Sequence, residues 1–250
     1  MRFQKLMMFR LGFFGPFFVD GSMFAIQLLV FDAVYRNVDR IGSWERGEMI
    51  LYIGTFSLLN AVNMVVYFFG VNSIPFRINS GDLDLYLTKP VSPLFRLTFE
   101  QINPGSIPLV IMSWFIIIYG IRTADLHPAG TETAAYCFWV FWMILLYYDL
   151  EIIIRSIAFF TFSPARIEQL EGTGIELCMQ LPGIAFYGIY KLIFCVILPY
   201  GILATIPVQS LIGEMTPAIA VHGVLAIAGF TLLAALMWKS GIGRYNSASS

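Results

Sequence analysis

The 250-residue chain is 58% hydrophobic and 12% charged, with a mean hydropathy of +0.76. A water-soluble fold of this size cannot hide so much apolar surface, whereas a lipid-solvated helix bundle can, and missing strand-period alternation argues against a barrel. A net charge of −1 supplies no basic field for nucleic acid.

Six apolar stretches predict an all-α polytopic membrane protein with spans at about 17–35, 49–71, 106–120, 134–160, 183–206 and 218–238. Arg2, Lys5 and Arg10 before the first stretch imitate a signal peptide. The run is too long and lacks a small-residue cleavage site, so it is expected to stay as the first span. The fourth stretch exceeds one crossing and is expected to tilt or to extend into the cytosol. With the N-terminus inside, ten of the fifteen Lys and Arg residues fall on cytoplasmic segments. Arg36, Arg40, Arg46 and Arg122 fall outside, and Lys191 within a span. That bias places both termini in the cytosol, and the whole chain reads as one transmembrane domain.

The cytoplasmic segment 74–96 joins spans two and three. Asn79 or Ser80 can cap a short helix, and Asp82 and Asp84 suit the positive end of its dipole. Leu83, Tyr86 and Leu87 repeat at helical spacing as one apolar stripe, and Lys89-Pro90 ends the helix. By pattern alone this is either a docking helix or a capped surface helix without a partner. Between spans four and five, Ser163 and Pro164 open a second amphipathic helix that continues to Pro182. It reads either as a helix on the membrane surface or as an extension of span five. Residues 207–217 are apolar but broken by prolines, an outer re-entrant hairpin or an ordinary loop.

Motifs for chemistry are missing. The sequence has no GxxxxGK[ST] loop, HExxH or GxSxG, and His127 and His222 sit near outer loops, away from any metal-spaced cluster. Cys137, Cys178 and Cys195 have no CxxC spacing and read as inert buried thiols. No catalytic or metal site is expected, and no cofactor bound by this chain. The better signal is polarity at membrane depth: Asp20 and Gln27 in span one, Asn60 and Asn63 in span two, Asp149, Glu151 and Arg155 in span four, and Lys191 in span five. Each charge there costs roughly 2.5–3.5 kcal/mol unless paired or hydrated. Glu151 and Arg155, four apart, can pair on one helix face. Lys191 can snorkel, pair with Asp20 or Asp149, or line a polar path. The asparagines and Gln27 can hydrogen-bond between helices.

Ile41-Gly42-Ser43-Trp44 with Glu48, Ile78-x-x-Gly81-x-Leu83-Asp84-x-Tyr86-Leu87-x-Lys89-Pro90, Ala158-Phe159-Phe160 and Gly243-Arg244-Tyr245-Asn246-Ser247 stand in order along the chain. Together they resemble the permeases of type-2 ABC exporters, in the branch with paired permeases and a separate ATPase. The resemblance implies a permease, not an enzyme, in the bacterial cytoplasmic (inner) membrane. It implies an identical or related second permease beside it, and ABC ATPase subunits that carry ATP and Mg. Gly81, Asp82, Leu83, Asp84, Tyr86, Leu87, Lys89 and Pro90 would form the segment that couples to the ATPase, and spans one, two and five would face the path. The competing classes are a stand-alone channel or secondary transporter, for which no symmetric repeat is visible, and a membrane-assembly factor.

Overall fold

The computed structural model describes residues 22, 26, 29, 33, 35, 40–161 and 165–245. Asp20, Gln27 and most of the first predicted span lie outside these residues. Among the described residues the fold is helical throughout, apart from one isolated bridge between Ile41 and Trp44.

The helices are α1 (Arg46–Val66), α2 (Phe68–Asn72), α3 (Ile74–Ser80), α4 (Asp84–Leu87), α5 (Pro93–Glu100), α6 (Ile107–Thr123), α7 (Gly130–Ser156), α8 (Ala165–Gln180), α9 (Gly188–Leu192), α10 (Thr205–Leu211) and α11 (Pro217–Arg244). Local chemistry sets their starts. The Glu48 carboxylate accepts the Glu45 N–H at 2.8 Å, and the Glu132 carboxylate accepts the Ala129 N–H at 2.8 Å. The Thr216 hydroxyl accepts the Ile219 N–H, with Pro217 at the first position of α11. Among the described residues, four helical stretches are long and apolar enough to cross a membrane: Arg46–Val66, Pro104–Thr123, Gly130–Phe159 and Pro217–Arg244. A fifth qualifies if the bent pair Gly188–Ile197 and Pro199–Leu211 is taken as one span.

The bundle has two ends. At the upper end the start of α1 meets the end of α6: a Cβ on Gly47 would lie 2.4 Å from the Ala124 backbone nitrogen. At the lower end Val71, Ile74, Leu83, Tyr86 and Leu97 pack with Ile152 of α7 and Ala234 and Trp238 of α11. Between the ends α1 and α6 run in backbone contact. A Cβ on Gly120 would come within 2.6 Å of the Leu51 nitrogen, and one on Gly54 within 2.8 Å of the Ile117 nitrogen, so small residues fix this pair.

Region 165–211 holds one long helix followed by a bent apolar pair. Near its start α8 meets the lower end of α7 through Glu171 and Arg155, 2.5 Å apart. At its end the carbonyls of Cys178 and Leu181 accept from the Tyr52 hydroxyl, in the second turn of α1. Ile184 then lies 3.2 Å from where a Cβ on Gly42 would sit, at the upper end. So α8 climbs from the lower end to the upper end and does not lie across it. Residues 183–206, expected to be span five, fall largely in a bent pair of helical stretches, Gly188–Ile197 with Pro199–Leu211. Its first limb packs on α8, with Phe194 at 3.6 Å from a Cβ built on Gly174, and a Cβ on Gly183 would lie 2.6 Å from the Gly201 carbonyl oxygen. The chain bends by 79° around Leu198, and the second limb returns to Glu214, which accepts from Trp44 Nε1 at 3.2 Å. The helix α8 carries Arg166, Glu168, Glu171 and Glu176, whereas the two limbs of the bent pair are apolar apart from Lys191 and Gln209.

Candidate functional site

The first candidate region is the lower loop. Gly81, at φ +79°, caps α3 in the left-handed region that a side chain disfavours, and turns the chain into α4. Asp82 accepts from the Ser80 hydroxyl at 2.9 Å, and Asp84 opens α4. The predicted stripe divides. Leu83 is 0% exposed and Tyr86 3%, both packed inside this chain, whereas Leu87 is 37% and Leu85 63% exposed. Leu83 and Tyr86 therefore anchor the loop to its own bundle. The surface left for a partner is Leu85, Leu87, Thr88, Lys89 and Pro90. The helix α4 is a single turn, and over four residues helical periodicity does not say which face turns inward.

The second region is a buried polar network. Arg155 of α7 lies 3.0 Å from Glu151 and 2.5 Å from Glu171, with all three residues 5% exposed or less. Its Nε donates to Asn72 Oδ1 of α2 at 3.2 Å. The Tyr200 hydroxyl, next to the bend at Leu198, donates to Glu171 Oε1 at 2.8 Å. The chain Asn72–Arg155–Glu171–Tyr200 thus joins the arm above the lower loop to α8 and to the bend at Leu198. Helix spacing gave Glu151–Arg155 and could not give the other links, which join distant parts of the chain. Glu171, Tyr200 and Asn72 were missed. The one available signal was a carboxylate on the apolar face of α8.

The remaining predicted polar residues disperse. Asn60 accepts from the Tyr147 hydroxyl at 3.3 Å, and Asn63 is buried one turn further along α1. Asp149 hydrogen-bonds Thr231 of α11 at 2.5 Å, as glue between two long helices. Lys191 is exposed on α9 and makes no ion pair with Asp149. Cys178 and Cys195 are buried as expected, but Cys137 is exposed.

The third region is the outer face of α8. Glu171 and Cys178 are buried, and Gly174 and Ile175 partly so. Around the opposite side Gln169, Thr173, Glu176 and Gln180 are all exposed, spaced by four, three and four residues. This places one polar stripe along the whole length of a helix that joins the two ends of the bundle.

A family model described as ABC-2 family transporter protein matches residues 22–249, nearly the whole chain. The chain belongs to the ABC-2 transporter family. No curated protein and no solved structure matches it. Family membership and the apolar helices make this ABC-2 member a multi-pass membrane protein and the permease component of an ABC transporter, not its catalytic subunit. Membership also implies association with an ABC ATPase.

Proposed function

We propose that this ABC-2 permease is half of an ATP-driven exporter in a bacterial cytoplasmic membrane. The lower end, with both termini, faces the cytosol. The exposed part of α4 and its following turn seat on a separate ATPase that carries ATP and Mg. The chain crosses six times, through residues about 17–35, α1, α6, α7, α8 and α11, and the 188–211 hairpin re-enters from outside. The observation that carries this reading is the polar stripe of α8. A crossing helix that pointed Gln169, Thr173, Glu176 and Gln180 at lipid would lose several kcal/mol for the carboxylate alone, about 2.5–3.5 on insertion scales. Water at a shared face relieves that cost, and a second permease, identical or related, supplies the other wall. The hairpin fits the same scheme, because non-helical backbone at depth is tolerated where protein or a water-filled cavity surrounds it.

Cysteine accessibility tests the path. In a Cys137→Ser background, Thr173→Cys and Gln180→Cys should react with a membrane-impermeant thiosulfonate in intact membranes. Leu225→Cys on α11, 66% exposed on an apolar face, should stay unreactive. Equal inertness of all three cysteines would remove the path from α8.

A further inference from the structure

The residue that ties the lower loop together is one whose polar and cationic neighbours come from the helices on either side of its own. Tyr86 of α4 has the Arg77 guanidinium of α3 at 4.7 Å over its ring and the Arg96 guanidinium of α5 at 4.6 Å. Its hydroxyl donates to Glu100 Oε2 of α5 at 2.5 Å. Burial and the Glu100 hydrogen bond raise the Tyr86 phenol above its usual value, so it stays a donor. Arg77 is itself held, with its Nε donating to Ser73 Oγ at 3.0 Å, and Ser73 Oγ donating to the Gly70 carbonyl at 2.7 Å. Gly70 lies against α5, where a Cβ would meet the Leu97 carbonyl at 1.9 Å.

The covalent path explains why this matters. The α3 arm hangs from α1 through α2, and α5 leads into α6, with the Asn103 N–H donating to the Val65 carbonyl at 2.8 Å. A load placed on α4 reaches α1 through the turn at Gly81 and α6 through the turn at Ser92, both flexible routes. Tyr86 bypasses them, because its ring and hydroxyl touch α3 and α5 directly. Cation–π contact and a charge-assisted hydrogen bond are among the stronger side-chain links available at a surface.

We infer that Tyr86 is the positioning residue that converts displacement of the loop into joint movement of α1 and α6, through Arg77, Arg96 and Glu100. It does not hold the ATPase itself: it is buried beneath the exposed residues Leu85, Leu87 and Lys89. This rests on the proposed seating of the ATPase on α4, and the two ideas fail differently.

The test uses the permease–ATPase complex in nanodiscs and hydrogen–deuterium exchange with and without ATP plus vanadate. In the wild type, peptides covering 46–72 and 104–123 should change exchange on trapping. Tyr86→Leu should copurify with the ATPase in wild-type amount and hydrolyse ATP, yet lose most of that exchange response. Tyr86→Phe, which keeps the ring contacts, should retain more of it than Tyr86→Leu. If Tyr86→Leu folds poorly, Arg77→Gln with Arg96→Gln removes both cations while leaving the ring in place, and the same loss is expected. A full exchange response in Tyr86→Leu or in the double variant overturns the inference. Loss of ATPase copurification in Tyr86→Leu also overturns it, since Tyr86 would then act in seating. If Leu85→Glu with Leu87→Glu leaves the ATPase bound, the seating on α4 falls and the inference falls with it.

Discussion

Arg155 sits between two carboxylates and an amide in a site almost closed to solvent. Removing one member of a buried ionic group costs far more than the group is worth intact, because the remaining charges stay buried without a partner. Arg155→Ala should therefore destabilise the fold by about 3–5 kcal/mol, read as a lower melting temperature of the purified protein. Arg155→Lys should recover only part of that. A single ammonium cannot reproduce the fork that reaches Glu151, Glu171 and Asn72 together. Glu171→Gln should be milder, since the amide oxygen keeps one of the two acceptor positions and only the other donor, Arg155 or Tyr200, then faces an NH2. A wild-type melting temperature for Arg155→Ala would show that the network is not a clamp. The sequence exposed only the local half of this site. Glu151 and Arg155 are four residues apart, so one helix brings them together. Glu171 and Asn72 meet Arg155 from 16 and 83 residues away, and Tyr200 reaches Glu171 from 29 residues away, and no spacing rule reaches that far.

At the scale of elements, the apolar helices α1, α6, α7 and α11 were readable because lipid demands long uninterrupted apolar runs. The break in the fifth apolar stretch was not, because the pair Gly188–Ile197 and Pro199–Leu211 stays apolar on both sides of its 79° bend and hydropathy carries no sign of it. The glycine seam between α1 and α6 was also hidden. Glycines are common in membrane helices, and only their register against the partner backbone gives them a role. Gly120→Val should force α6 away from Leu51 and cost the folded yield, whereas Gly243→Ala, with nothing within 4 Å, should be neutral. Detergent-extracted monodisperse protein measures both, and equal yields would mean the seam can relax. The lower loop makes a separate prediction. Leu85→Glu with Leu87→Glu places two charges on the exposed apolar face of α4 and should reduce ATPase copurification at least tenfold. The melting temperature should hardly move, because neither side chain is packed in the bundle. Leu83→Glu should do the reverse, unfolding the loop from within, since Leu83 is fully buried against the lower cluster.

For the whole molecule, the decisive feature is that the polar face of α8 looks outward. A single bundle that carried its path inside would turn Gln169, Thr173, Glu176 and Gln180 toward its own core; here the core side of α8 carries Glu171, Gly174 and Cys178 instead. The path is therefore expected at a boundary between two chains, and α8 should approach the α8 of its partner. Paired spin labels or cysteines give the check. In a Cys137→Ser background, Thr173→Cys should crosslink between permeases with a short bifunctional reagent, and ATP with vanadate should change the yield. In the Arg155→Lys background the nucleotide effect should weaken, because Arg155 links the loop arm at Asn72 to α8 through Glu171. If the partner is a related but different permease, the crosslink should form only with the equivalent cysteine placed on that chain. A functional complex shown by native mass spectrometry to hold one permease chain would leave the outward polar face without a wall, and the paired-permease mechanism would fall.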